Sequence, residues 1–274
     1  MRLGEGELDA REEALAAVAR EAGELARRLY SSREAAGVKL KGRQDFVTAA
    51  DGEVERMIVG RLAARFRRDA FFGEEGGATG SGDAIWVIDP IDGTANFAYR
   101  IPHFCISIAF VCGGAAVLGA IIAPMYGDLY SARLGRGAFL NGNALRVAGT
   151  VDIKQAIVEL GWSSRRPARA YTALLERVLA TGATFLRAGS GALGLAYVAA
   201  ARTHGYCELH INSWDALAGL LMVREAGGWT SDFLAGEGLA RGNPVLACVP
   251  GLREALVEAT GVGQNNEQLE RRMP

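Results

Sequence analysis

Apolar and polar positions follow two different rhythms along this chain. In the first thirty residues, Leu15, Val18, Ala22, Leu25 and Leu29 recur at spacings of three and four, which predicts a helix from Leu8 to Tyr30 with one buried stripe. Asp9 and Glu12 stand three apart at its start and read as a capping box with Asp as the cap. Arg20, Glu21, Glu24, Arg27 and Arg28 form its solvated face. Val54, Ile58, Leu62 and Phe66 lie four apart and predict a second helix from Asp51 to Arg68.

The pattern then shortens. Trp86-Val87-Ile88 reads as a buried strand that delivers Asp89 at its end. Strands are predicted at Phe104–Cys112, Ala116–Ile122 and Leu129–Arg133, punctuated by Gly135, Gly137 and Asn141-Gly142, so the middle of the chain reads as an antiparallel sheet. After about Thr150, strands at Ala156–Leu160, Thr184–Leu186, Gly205–Leu209 and Val245–Val249 alternate with helices at Ala168–Ala180, Ser190–Ala201, Asp215–Ala226 and Gly251–Thr260. Such alternation points to layered α and β structure. The whole chain, 1–274, reads as one domain. It has an N-terminal subdomain to about residue 148, a C-terminal one over about 149–260, and a polar, flexible tail from 261 to 274.

Composition narrows the class. The chain has 274 residues, 50% of them hydrophobic, enough for a substantial core. A formal net charge of −1 argues against nucleic acid or an anionic membrane as an obligate partner. The N-terminal segment lacks the apolar stretch of a secretory signal, and the longest apolar run, 115–123, is too short to span a bilayer, so a cytoplasmic protein is expected. Cys105, Cys112, Cys207 and Cys248 lack zinc-site spacing and read as reduced core thiols.

The candidate chemistry is acidic. Asp51, Glu74, Asp89, Asp92 and Asp215 each sit where a strand or loop meets a helix. Asp89-Pro90-Ile91-Asp92-Gly93-Thr94 offers two carboxylates, a stiffening proline, a glycine for a sharp turn, and a hydroxyl. If a helix begins there, its end would favour a phosphate. Alone, the hexapeptide would read equally as a turn. Its company shifts the reading: Gly73-Glu74-Glu75-Gly76-Gly77 puts acids in a glycine-rich loop, and Trp214-Asp215 stands at a helix start. Oxygen-only ligands favour Mg²⁺ or Mn²⁺ over zinc. His103, His204 and His210 form no ligand pattern and read as surface or core residues.

These residues resemble the inositol monophosphatase family of metal-dependent, lithium-sensitive phosphatases. The resemblance rests on residues 86–97 (Trp86 to Phe97), on Trp214-Asp215-Ala216-Leu217-Ala218-Gly219 with Glu225-Ala226-Gly227-Gly228, on Asp45 to Asp51 and on Gly73-Glu74-Glu75. It implies an α/β (α+β) fold, the layered αβαβα sandwich shared with fructose-1,6-bisphosphatases, and a homodimer. It further implies two or three Mg²⁺ ions. Glu74, Asp89, the Ile91 carbonyl and Thr94 would surround one; Asp89, Asp92 and Asp215 would hold a second; Glu74 would contribute to a third. Asp51 and Thr94, with Glu74, would serve catalysis by orienting water. Gly93 and Thr94 would hold the phosphate, and Asp92, Gly189, Ser190, Gly191, Glu208 and Asp215 would line the substrate.

The implied reaction is hydrolysis of a small phosphate monoester by metal-activated water. Inositol 1-phosphate is the leading substrate, with histidinol phosphate and 3′(2′),5′-bisphosphate nucleotides as alternatives on the same fold. An aspartyl nucleophile lacks its usual Asp-x-Asp context. A non-catalytic scaffold bound to RNA or transcription machinery is the alternative of another class, opposed by the presence of Glu74, Asp89, Asp92 and Asp215 together. Arg165, Arg166 and Arg169 read as a solvated loop, with a second phosphate or a dimer contact as alternatives.

Overall fold

The computed structural model describes residues 3–32, 39–42, 45–47, 49–149 and 152–263, with 39–42 and 45–47 as backbone only. Thr48 and residues 264–274 of the expected tail lie outside the described residues. In chain order the first elements are α1 (Glu5–Ser31), β1 (Lys39–Gly42), β2 (Asp45–Val47), α2 (Ala49–Arg65), β3 (Ala70–Gly73), β4 (Gly77–Thr79), β5 (Ala84–Asp92) and α3 (Thr94–Ala98). Then come β6 (Cys105–Cys112), β7 (Ala115–Ala123), β8 (Asp128–Arg133), β9 (Gly137–Leu140) and β10 (Asn143–Ala144). The last part holds β11 (Ile157–Leu160), α4 (Ala168–Ala180), β12 (Thr184–Leu186), α5 (Gly191–Ala199), β13 (Gly205–Ile211) and α6 (Ser213–Glu225). It ends with β14 (Trp229–Thr230), α7 (Gly238–Arg241), β15 (Asn243–Cys248) and α8 (Arg253–Thr260).

Two sheets organise these elements. The larger has the order β10-β9-β8-β7-β6-β5-β3-β4, and the smaller β12-β11-β13-β15-β14. From β5 to β10 every pairing is antiparallel, as the middle of the sequence predicted, but β3 joins β5 in parallel. β6 explains why both faces are covered. Ile106, Ile108 and Phe110 pack with α1 and α2, while Cys105, Ala109 and Val111 pack with α5 and α6. A strand buried on both faces reads as a continuous apolar run. α5 and α6 therefore lie between the sheets, and α4 and α8 cover the far face of the smaller one. The result is an αβαβα sandwich. Gly119 lets α6 approach β7 closely, since a Cβ there would lie 3.0 Å from the Ala218 Cα.

The start of α1 corrects the sequence reading. The helix begins at Glu5, and the Glu7 carboxylate accepts the Gly4 N–H at 2.8 Å. Asp9 and Glu12 instead bind Arg133, whose side chain also meets Glu5. A local spacing rule could not foresee this: a nearly buried guanidinium from β8 recruits three carboxylates along the helix. In α2, Val54, Ile58 and Leu62 are fully buried. Phe66 lies just past the helix end and stacks 6.0 Å from Trp86. Each such aliphatic burial stabilises by about 1.5–3 kcal/mol.

Candidate active site

In a regular strand, residues three apart point to opposite faces. Asp89 and Asp92 escape this through the irregular register between them. Asp89 pairs with Ser107 and Asp92 with Cys105, so β5 spends one residue more than β6 over the same stretch. The extra residue is a bulge, placed where Pro90 has no N–H to give the ladder. Asp89 is 1% exposed, and its Oδ1 accepts the Ile91 N–H at 2.9 Å. Gly93 follows with φ 95°, a left-handed conformation that suits glycine, and α3 starts at Thr94. That helix has five residues, so what it offers a ligand is backbone amides rather than a developed macrodipole.

Asp215 arrives from the first turn of α6, where its Oδ2 accepts the Asn212 N–H at 3.1 Å. Carboxylate oxygens of Asp89, Asp92 and Asp215 lie within 4.8 Å of one another. Asp51, buried in the first turn of α2, meets the site through Thr94, whose hydroxyl is 3.3 Å from its Oδ1 and 2.9 Å from the Ile91 carbonyl. Glu74 stands outside the three-carboxylate triangle but close enough to Asp89 to act on its ionisation. Its loop is held by Glu55, which accepts the N–H groups of Glu75 at 2.9 Å and Gly76 at 2.6 Å.

Electrostatics give this cluster its character. Burial, then the charges of Glu74, Asp215 and Asp92, push Asp89 well above the usual carboxylate range. Asp92 is pushed up to about 6 by burial and the Asp215 charge, against hydrogen bonds from Ser190, Ala192 and Gly191 that favour its anion. Asp215 is raised by burial and opposed by its hydrogen bond with Asp89. Three crowded, desolvated carboxylates are unfavourable as anions unless protons or a cation offset their charge. The set is all oxygen, which fits a hard divalent cation.

Asp92 also joins β5 to the start of α5 in the layer between the sheets. Its carboxylate accepts the Ser190 hydroxyl at 2.5 Å and the N–H groups of Gly191 and Ala192 at 3.2 and 2.7 Å, at the start of α5. Gly189 precedes them with φ 90°, and Asn96 Nδ2 donates to the Ala188 carbonyl at 2.9 Å. Beside this seam opens a cavity of about 800 Å³, lined by Asp92, Gly189, Ser190, Gly191, Glu208 and Asp215 among others. The Glu208 Oε2 accepts the Tyr206 hydroxyl at 2.6 Å, and burial pushes its carboxyl up to about 8. Gly161 makes room for that pair, since a Cβ there would sit 2.0 Å from the Glu208 Oε2.

Sequence reasoning missed part of this wall. Glu159, Trp162 and Tyr206 line the cavity, and no local motif marks them. Arg165 lines it too, Arg166 donates from Nε to the Leu209 carbonyl at 3.2 Å, and Arg165, Arg166 and Arg169 are all exposed, as a solvated loop requires. His210 also lines the cavity, with Nε2 3.0 Å from the Arg241 carbonyl. His204 accepts the Ile157 N–H through Nδ1 at 3.0 Å, and His103 packs against Tyr126 and Tyr197.

The profile of the inositol monophosphatase family matches residues 7–266. The chain belongs to that family. Inositol monophosphatase relatives extend over most of its length. Nus factor SuhB of Escherichia coli (strain K12) is 37% identical over 253 residues, 88% of this chain and 95% of that protein. The inositol-1-monophosphatase of Mesorhizobium japonicum is 38% identical over 226 residues, 81% of this chain and 85% of its own. Among solved structures, the extragenic suppressor protein suhB of Bartonella henselae superposes with a TM-score of 0.86 at 34% identity, covering 92% of this chain and 98% of that one. The inositol monophosphatase sandwich is thus the fold of this protein. Among the described residues, no helix is long and apolar enough to cross a membrane.

Proposed function

We infer that the protein is a Mg²⁺-dependent phosphatase of small phosphate monoesters, with a polyol phosphate of the inositol 1-phosphate type as its substrate. The observation that carries this reading is the convergence of Asp89, Asp92 and Asp215 at the edge of a large polar cavity that also holds Glu208. Asp89, Asp92 and Asp215 would hold the metal, with Glu74, the Ile91 carbonyl and Thr94 completing the cluster; two or three ions are expected, and Mn²⁺ is a substitute with the same oxygen preference. Bound Mg²⁺ supplies Lewis-acid stabilisation for a dianionic ester and lowers the pKa of water.

The chain's own groups do the rest. The Thr94 hydroxyl has a single proton to give, and it stands between the Ile91 carbonyl and Asp51. Passing that proton toward Asp51 leaves the Thr94 oxygen able to accept one from water, which orients the nucleophile. Gly93 and Thr94 amides would bind the phosphate. Glu208 would accept hydroxyls of the leaving group, with Gly189, Ser190 and Gly191 keeping the wall low enough for a ring. Histidinol phosphate and bisphosphate nucleotides are the competing substrates. A homodimer in the cytoplasm is the proposed state, supported by the exposed Phe185 and Leu186 on the edge strand β12.

A second reading is a role in transcription, of the kind the name Nus factor gives to the E. coli relative; the 37% identity over 253 residues favours it, and it can coexist with catalysis on one scaffold. The test of the first reading is phosphate release from myo-inositol 1-phosphate, histidinol phosphate, 3′-phosphoadenosine 5′-phosphate and fructose 1,6-bisphosphate, with and without Mg²⁺ and Li⁺. Hydrolysis that requires Mg²⁺, falls with Li⁺ and is fastest for the inositol ester is expected. No metal-dependent release from any of them would sink it.

A further inference from the structure

Glu159 has no part in the reading above, yet it is a buried carboxyl on the wall of the same cavity. It lies on β11, paired in register with Tyr206 of β13. Neighbours across a ladder share a face, as do residues two apart along a strand. Glu159, Gly161, Tyr206 and Glu208 therefore present one surface, and all four line the cavity. Glu159 is 2% exposed. Its Oε1 accepts the Ala188 N–H at 3.1 Å, while Oε2 is buried with no hydrogen-bond partner.

A buried carboxylate oxygen without a donor is unfavourable, and where one persists in a cavity wall it marks a place for a donor from outside. At Gly194 a Cβ would lie 3.1 Å from the Glu159 Cδ and 2.5 Å from the Tyr206 ring, so a glycine leaves the carboxyl its room. Arg187 lines the cavity and acts on both Glu159 and Glu208 through its charge. Burial nevertheless pushes the Glu159 carboxyl up to about 7, so the charge it could carry is poorly compensated without a ligand. Both oxygens of a carboxylate turn together about its soft terminal torsion, so the turn that presents Oε2 to the cavity gives up the Ala188 N–H for the ligand's donor.

We propose that Glu159 is a specificity-determining residue that accepts a hydrogen bond from the leaving group of the substrate, so that Glu159 and Glu208 together select an alcohol bearing at least two further hydroxyl or amino donors. The proposal rests on the phosphatase reading, because it places the alcohol half of a phosphate ester in this cavity. Esters of simple apolar alcohols would leave the second oxygen of each carboxyl without a donor, and a site built to hydrogen-bond a hydroxyl discriminates strongly against its absence.

The probes are myo-inositol 1-phosphate and cyclohexyl phosphate, which share a six-membered ring and differ in its hydroxyls. Glu159→Gln keeps the shape and an oxygen for the Ala188 N–H, but turns the free acceptor into a donor. The expected result is a fall of about tenfold in kcat/KM for the inositol ester, with cyclohexyl phosphate changed less than about twofold. Glu159→Asp, which keeps the charge but retracts the carboxyl, is expected to lose the same preference. Thermal midpoints of both variants check that they fold. An equal loss on both esters would assign Glu159 to holding Ala188 alone and overturn the proposal, as would no change on either. If the wild-type protein turned over neither ester, the phosphatase reading would fail. Calorimetric titration with the same two esters would then decide the proposal separately. Tighter binding of the inositol ester to wild type than to Glu159→Gln supports it, and equal binding overturns it.

Discussion

Replacing Asp89 with Asn probes the cluster at its most strained member. Asp89 Oδ1 accepts the Ile91 N–H, and the carboxyl shares a hydrogen bond with Asp215. Asn can keep the first with its carbonyl and supply the second with its amide, so the metal-free fold should tolerate the change. The two proteins should differ in their response to pH. Wild-type Asp89 has a folded pKa raised well above 3.8, so the folded protein holds a proton that the unfolded chain releases. Its stability contribution is complete below the unfolded pKa and is lost as pH rises toward the folded value. Asn does not titrate. Across about pH 5–7, above the unfolded carboxylate pKa, the variant should therefore gain on wild type as pH rises, with a limiting slope of about 1.4 kcal/mol per pH unit. For a chain of this size that limiting slope is a thermal-midpoint gain of about 3 °C per pH unit. The assay is thermal denaturation of both proteins in EDTA across that range. Repeating it with Mg²⁺ should raise the wild-type midpoint and leave that of the variant unmoved. Phosphatase turnover should fall at least a thousandfold in the variant, equivalent to about 4 kcal/mol of barrier. A constant gap between the proteins with pH, or Mg²⁺ protection of the variant, would refute the reasoning.

Other perturbations test other parts of the structure. Glu55→Ala removes the acceptor for the Glu75 and Gly76 amides, so apparent Mg²⁺ affinity in the turnover assay should weaken by about tenfold or more as Glu74 loses its position. Gly161→Ala forces a Cβ against the Glu208 carboxyl and the Tyr206 hydroxyl; urea denaturation should show about 1–3 kcal/mol of lost stability, and KM for a polyol ester should rise. Leu62→Ala empties a fully buried position in α2 and should cost about 2–5 kcal/mol by the same denaturation assay. Arg133→Met releases Glu5, Asp9 and Glu12 together, so amide hydrogen exchange in the first turns of α1 should accelerate while exchange in β6 stays unchanged.

Legibility in the sequence followed the range of the signal. α4 falls where periodicity placed it, because it carries its pattern within its own residues. β3 and β4 were not foreseen: Ala70–Gly73 is too short for periodicity to mark, and its place beside β5 is set by parallel pairing across the chain. The carboxylates were legible as residue types beside turn formers, yet their meeting depends on the bulge between Asp89 and Asp92, which no spacing rule announces. The partnership of Asp92 with the start of α5 joins residues about a hundred apart and could only be seen in the fold. Glu159 and Arg165 carried no motif. Their role in the cavity wall is decided by sheet register and loop path.

The most direct measurement is anomalous diffraction from crystals of the protein soaked in millimolar Mn²⁺. Strong peaks are expected among the carboxylates of Asp89, Asp92 and Asp215, at about 2.0–2.3 Å from their oxygens. These should vanish in Asp89→Asn, and a further peak should appear toward Glu74 if a second ion binds there. Crystals that retain an ordered site but show no anomalous density among the three aspartates would contradict the account.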